Sequence, residues 1–264
     1  MSASKTGKVP AIDRAFAALE LLADSKGGLS VSEIARRLKL PKSSTHLIIT
    51  TLEDHGYLWK DLSSHKYFVG LKLSHLAQVT LEGLELRERA KGFLKDLATK
   101  IGLTVHLAIL EGSEAVLIEK IQAPGIVKLD TWVGQRMHLN CTAVGKALLA
   151  FLSEEEFERT LHGRRLIKHN HYTISSIPEL RDEMKKVKAA GYALDNEEEE
   201  VGVRCLGAPI FDHSGRVAAA ISVAGTTVQL PWDQTEKVAE IVRDTARKIS
   251  WTLGYGIKTD RRQT

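Results

Sequence analysis

Cysteine is scarce in this chain: Cys141 and Cys205 are the only two in 264 residues, and they form no C-x-x-C pair. That excludes a disulfide framework and makes a reducing, cytoplasmic setting the simplest expectation. No apolar run approaches the roughly 18–20 residues that a membrane span needs, so no membrane partner is expected. The opening MSASKTGKVP has basic residues but no apolar stretch behind them, so a secretory signal is not expected either. The chain also lacks G-x-S-x-G, H-E-x-x-H, P-loop and post-strand G-x-G-x-x-G patterns. Nothing therefore supplies a nucleophile or a cofactor cradle, and the expectation is a protein that is not an enzyme and carries no cofactor. Internal repeats and low-complexity tracts are missing as well.

A large charge excess is lacking too, but the small one present is placed unevenly. Residues 1–72 hold 11 Lys plus Arg against 7 Asp plus Glu, and residues 73–264 hold 26 of each. The whole excess of +4 thus lies on the first segment, as expected of a segment that meets phosphates.

Within it, Leu29–Leu52 (LSVSEIARRLKLPKSSTHLIITTL) reads as two short helices joined by a tight turn. Ile12, Ala15, Phe16, Leu19 and Leu22 first mark a helix running to about Ala23, which Gly27-Gly28 ends. Ser30 with Glu33 makes a capping box for the second helix, whose buried face is Val31, Ile34, Ala35 and Leu38. Pro41 suits the first turn of the third. There Thr45, Ile48, Ile49 and Leu52 face inward, and Lys42, Ser43, Ser44, His46, Leu47 and Thr50 lie on or near the outer faces. Tyr57–Lys60 and Lys66–Val69 flank a polar tip and read as a hairpin. A hairpin directly after the third helix makes a winged helix-turn-helix, whose third helix enters the major groove of double-stranded DNA. The candidate DNA-binding residues are Lys42, Ser43, Ser44, Thr45, His46 and Thr50 on the helix and His65 and Lys66 on the wing. Ser43 and Ser44 also suit a first helical turn for structural reasons alone.

Beyond Gly70, a long helical pattern runs from Leu71 to Ile101 with a break near Gly83. The division expected is 10–72 for the winged domain, 73–90 for a linker helix region and 91–256 for a second domain. In that domain Thr104–Leu110 and Ala115–Ile121 read as paired strands, with a third at Ile126–Trp132. Helices are expected over Val144–Leu152, after Ser153 and from Ser176 to Ala190; Ser153 with Glu156 and Ser176 with Glu179 make capping boxes. Gly191–Asp195 reads as a strand, Glu197–Glu200 as a solvated acidic loop, and Val203–Phe211 with Arg216–Val223 as a hairpin. A last helix covers about Asp233–Leu253. The fold class is α+β with a mainly antiparallel sheet.

The winged segment, GQRMHLNCTAVGKALLA at 134–150 and GYALDNEEEEVGVRCLGAPIFDHSGRVAAAISVAG at 191–225 together resemble the IclR family of bacterial transcriptional regulators, over about residues 10–256. The resemblance implies a GAF-like effector-binding domain for a small, often carboxylate-bearing metabolite. It also implies a double-stranded operator as partner, and assembly as a homodimer or homotetramer. It further implies an effector site where Ala143, Val144, Asp195, Cys205, Ser222 and Ala224 converge. The residues agree in part. Ser222 and Ala224 share a strand face, and the amides of Ala143 and Val144 open a helix, a plausible anion nest. Asp195 suits a carboxylate ligand only if it accepts from a ligand hydroxyl or is protonated; its other reading is a loop cap. An inert buried thiol is an equal reading of Cys205, and Cys141 reads as structural. His138, Cys141, Cys205 and Asp195 have no ligand spacing, so no metal is expected; His169 and His171 read as solvated.

The family often has Gly where Lys39 stands and Arg where Leu47 stands, and Ala143-Val144 and Ala224 replace a smaller pair and a serine. These departures imply an effector with more apolar surface than glyoxylate or pyruvate. Two other functions stay in view: a DNA-binding protein whose second domain only oligomerises, and an enzyme on the α+β domain.

Overall fold

The computed structural model describes residues 9–82, 85–123 and 129–256. The polar lead and the break near Gly83 lie outside them. By contacts the chain divides into two compact units, Met1–Gly83 and Leu84–Thr264. Among the described residues, no helix is long and apolar enough to cross a membrane.

The first unit holds helices α1 (Pro10–Ala23), α2 (Val31–Leu38) and α3 (Lys42–Asp54), strands β1 (Leu58–Lys60) and β2 (Tyr67–Val69), and helix α4 (Leu71–Glu82). Ser30 and Glu33 cap α2 reciprocally, so two otherwise orphaned amides find partners. Lys39 closes α2 at φ 53, in the left-handed region that costs an L-residue about 1 kcal/mol. That turn sets the angle between α2 and α3. Pro41 stands one place earlier than expected, as the N-cap of α3. The small core is Ala18, Leu22, Leu29, Ile34, Ile49, Leu58 and Tyr67, and an isolated antiparallel bridge ties Leu29 to Tyr67 of the wing.

The second unit opens with α5 (Glu85–Ile101) and is built on one six-stranded sheet in the order β5-β4-β3-β8-β7-β6. Its strands are β3 (Thr104–Glu111), β4 (Glu114–Ile121), β5 (Arg136–Met137), β6 (Ala193–Asn196), β7 (Val203–Phe211) and β8 (Val217–Thr226). Every pairing is antiparallel. Helices α6 (Ala143–Leu149), α7 (Glu154–Leu161) and α8 (Ile177–Ala190) bury Val144, Leu148, Phe157, Leu180 and Met184 in one core with sheet residues such as Leu117 and Ala220. Helix α9 (Thr235–Thr252) follows a single 3-10 turn at Trp232–Gln234 and lies against β7 and α5.

One expected strand is not seen over its described part. Of Ile126–Trp132, residues 126–128 lie outside the described set, and Leu129–Trp132 is not strand. Thr131 N–H turns back to the Leu129 carbonyl at 2.9 Å, and Lys120 Nζ donates to the Leu129 and Thr131 carbonyls at 2.8 Å each. Local bonds and one lysine satisfy this backbone, and the strand paired with β4 comes later, at Arg136–Met137.

Candidate nucleic-acid interface and ligand cavity

Helix α3 buries Thr45 and Ile49 and half-buries Ile48 and Leu52. The opposite face carries Ser43, Leu47 and Thr50, with Ser44 and His46 on its flanks; these follow from the 100° step per residue. Leu47 is 70% exposed at the centre of that face. Lys42, Ser43 and His46 are exposed, and Ser44 and Thr50 are half-buried. Thr50 Oγ1 donates to the His46 carbonyl at 2.8 Å. Thr45 is a correction. At 1% exposure, with its hydroxyl donating to the Pro41 carbonyl at 3.0 Å, it packs the helix onto its own domain and cannot reach a groove.

On the wing, His65 is exposed with φ 56. Lys66 is half-buried, and its Nζ lies 3.5 Å from the Gly27 carbonyl. The tip is less basic than its lysines suggest. The Asp61 carboxylate accepts from Ser63 N–H at 3.0 Å and from the hydroxyls of Ser63 and Ser64 at 2.8 and 2.6 Å. Those bonds hold its pKa down to about 2, so this charge persists beside any phosphate.

In the second unit all six residues expected at the effector site line one cavity of about 130 Å³. The sheet register places four of them. Asp195 pairs with Cys205, and Cys205 with Ala224, across β6, β7 and β8. The next row of the same face runs Gly207, Ser222, His106 across β7, β8 and β3. Gly207 admits the remaining two. A Cβ there would lie 2.5 Å from the Ala143 carbonyl oxygen, so only glycine lets the start of α6 come down on the sheet. Thr142 caps that helix by accepting from Gly145 N–H at 3.1 Å, and the amides of Ala143 and Val144 precede the first turn's ladder.

The cavity's electrostatics differ from expectation. Its wall also includes Asp130, Glu199 and Glu200, none of which was expected as a site residue, and no lysine or arginine among the described residues. Burial pushes Asp195 up to about 6 despite Lys146, and pushes Glu199 up to about 7. Asp195 also serves as a loop cap, accepting from Glu198 N–H at 2.9 Å. Burial, then the charges of Asp195 and Glu199, raise the Cys205 thiol, which therefore stays protonated and unreactive. His106, overlooked in the sequence, faces the cavity with Nε2 2.8 Å from Thr131 Oγ1. Burial and the nearby Lys120 lower its pKa to about 4, so the ring is neutral.

The reading of Glu197–Glu200 as a solvated loop is overturned. Glu198 is buried and meets Lys146, which is wholly buried. Lys146 Nζ also donates to the Leu194 carbonyl and to Glu183 at 3.3 Å. Burial raises Glu198 to about 7 against the pull of Lys146, and its Oε2 has no partner. His169 is exposed, as expected, and its Nε2 also lies 3.1 Å from His138 Nδ1. Cys141 is buried as expected.

Two buried carboxyls, Asp195 and Glu198, and the half-buried Glu199, all with raised pKa values, give the domain a pH dependence of definite sign. Each binds its proton more tightly folded than unfolded, where Asp and Glu titrate near 3.9 and 4.3. The stability they contribute is complete below those values and is lost as pH rises through about 6 to 7. Chemical unfolding of the second unit is therefore expected to show falling stability from pH 5 to pH 8. Asp195→Asn should flatten the lower part of that curve. A flat or rising wild-type curve would refute the assignment.

A winged helix-turn-helix unit followed by an α+β unit with a small cavity is the architecture of a DNA-binding transcriptional regulator. Family comparison agrees and is more specific. The IclR helix-turn-helix domain matches residues 11–62, and the "Bacterial transcriptional regulator IclR C-terminal" domain matches residues 78–251. The chain belongs to the IclR family. It is 32% identical to the HTH-type transcriptional regulator XynR of Escherichia coli K12, over 94% of this chain and 98% of that one. It is 30% identical to the transcriptional repressor IclR of the same strain, over 97% and 93%. The crystal structure of the Thermotoga maritima IclR superposes with a TM-score of 0.77 at 32% identity, over 92% of this chain and 98% of that one. An IclR homologue from Microbacterium hydrocarbonoxydans, solved with 4-hydroxybenzoate, shares the fold at a TM-score of 0.79 and 24% identity, over 92% and 98%. These relatives are regulators, not enzymes.

Proposed function

We propose that the chain is a cytoplasmic, ligand-responsive regulator of the homodimeric or homotetrameric kind. In this reading Ser43, Leu47, Thr50 and their flanking residues meet an operator, and the cavity of the second domain takes a small organic acid. Residues 10–72 act as the reader, 73–90 as the link and 91–256 as the sensor. The observation that carries it is the convergence of Ala143, Val144, Asp195, Cys205, Ser222 and Ala224 on one small cavity.

The cavity's chemistry narrows the ligand class. Two helix-opening amides suit a carboxylate, but the otherwise largely apolar wall also carries Asp130, Asp195, Glu199 and Glu200. A plain carboxylate would sit against Asp195 and Glu199 with no cation among the described lining residues. A ligand that also donates hydrogen bonds resolves the conflict, because Asp195 can accept from its hydroxyl. A hydroxy acid with an apolar body is thus favoured, a class that includes the ligand of the Microbacterium relative. Binding then shifts the population between domain arrangements, which alters how two recognition helices fit their half-sites.

Thermal shift of the full chain against matched pairs of acids, with and without a hydroxyl, tests this. Hydroxy acids should raise Tm and their deoxy partners should do so less. The hits should change the anisotropy of labelled DNA taken from upstream of the chain's own gene. Asp195→Ala and Ser222→Ala should lose the ligand response and keep DNA binding; equal loss of both would refute the two-domain assignment.

A further inference from the structure

We propose that His138, Cys141 and His169 form a binding site for a borderline-soft divalent cation, with Zn²⁺ the foremost occupant. One ligand atom from each residue lies within 4.8 Å of the other two. His138 Nδ1 and His169 Nε2 are already 3.1 Å apart, with ring centroids at 5.0 Å. In a tetrahedral Zn²⁺ site, bonds of about 2.0–2.1 Å to nitrogen and 2.3 Å to sulfur put ligand atoms roughly 3.3–3.6 Å apart. Closing this cluster to that size takes side-chain movements of about 1 Å. One thiolate with two imidazoles is a donor set that selects zinc-like ions over Mg²⁺ or Ca²⁺.

The frame around the three residues is fixed by bonds of its own. His138 and Cys141 stand three apart in the turn that leads into α6, and Thr142 Oγ1 donates to the His138 carbonyl at 2.6 Å. Asn140, in the same turn, donates to the carbonyls of Ile167 and Ile174 at 2.9 and 2.8 Å. That ties the loop carrying His169 to the turn carrying the other two. Thr173 Oγ1 accepts from His169 N–H at 3.1 Å and holds the loop from its far side. Cys141 is buried, His138 is half-buried and His169 is exposed. An ion therefore has a way in from solvent and finds the sulfur at the inner end. Three protein ligands leave a fourth position for water. On binding, the Cys141 thiol gives its proton to solvent and the His–His hydrogen bond is replaced by two metal bonds.

None of the three residues lines the ligand cavity, so this site stands or falls independently of the effector reading. The same turn nevertheless runs directly into Thr142, Ala143 and Val144 of the cavity wall, so an ion here would stiffen that wall.

Tag-free full-length protein, stripped with a chelator, should bind one Zn²⁺ per chain by calorimetry. With Co²⁺ as the probe it should show the near-ultraviolet charge-transfer band of a cobalt–thiolate bond. Cys141→Ala should abolish that band. His169→Gln alters an exposed side chain, so folding is kept. Groups that only hydrogen-bond a metal's ligands are worth about 10–100-fold in metal affinity, so loss of this ligand should weaken Zn²⁺ binding by about 100-fold or more. No stoichiometric Zn²⁺ binding, cobalt bound without the band, or binding unchanged in His169→Gln would each overturn the site. The pair would then be an ordinary His–His hydrogen bond beside an inert thiol.

Discussion

Lys146→Met should destabilise the second domain by about 3–5 kcal/mol, the range for removing one partner of a buried ion pair. For a unit of this size each kcal/mol moves Tm by roughly 2–4 °C, so a fall of about 6–20 °C is expected. Methionine nearly matches the lysine stem in volume, so the cost is electrostatic. Lys146 is 0% exposed, and its ammonium serves Glu198, Glu183 and the Leu194 carbonyl. Without it, Glu198 is left beside Asp195 and Glu199 with no cation. Two further results distinguish this cause from poor packing. The penalty should shrink below pH 6, where Glu198, with its pKa near 7, already holds a proton. Lys146→Met with Glu198→Gln should recover much of the loss in a double-mutant cycle. Calorimetry of the full chain, following the transition of the second domain, reads all three. A Tm change under about 2 °C, or a penalty independent of pH, would refute the role given to Lys146.

That lysine marks where reading the sequence stopped short. Local signals were legible because their physics is local. Ser30 with Glu33, Ser153 with Glu156, and the turn at Asp212–Gly215 settle within a few residues, and the structure shows each of them. Alternation placed Ser222 and Ala224 on one strand face, and both line the cavity. The missed residues depend on long-range encounters. Glu198 follows Lys146 by 52 positions, and a run of four glutamates looks solvated until the chain that buries it is known. His138 meets His169 across 31 positions. Of the strand expected at Ile126–Trp132, the described part, Leu129–Trp132, is not strand, and Lys120 takes up two of its carbonyls. His106 did carry a signal: a lone histidine on the apolar alternation of β3 sits opposite Ser222.

Thr45 was lost differently, since its inward position was legible and its polarity still suggested DNA. Burial decides between those readings, and the decision can be tested at the bench. Ser43→Glu should weaken binding to the upstream DNA by about 100-fold or more, because a carboxylate facing phosphates or base edges costs several kcal/mol. The loss should grow at lower salt, as repulsion from phosphates is screened less. Unfolding cannot mimic this result. Ser43 occupies the second position of α3, where a negative charge favours the helix dipole, so the domain should keep its Tm or gain slightly. Thr45→Val is the matched control on the opposite face. It removes a hydroxyl whose acceptor, the Pro41 carbonyl, still receives Thr45 N–H at 3.0 Å. Operator affinity should therefore stay within about twofold and stability within about 1 kcal/mol. Anisotropy titrations across a salt series, with thermal melts of the same samples, measure both. If Thr45→Val weakened DNA binding as much as Ser43→Glu at unchanged Tm, the face assigned to the operator would be the wrong one.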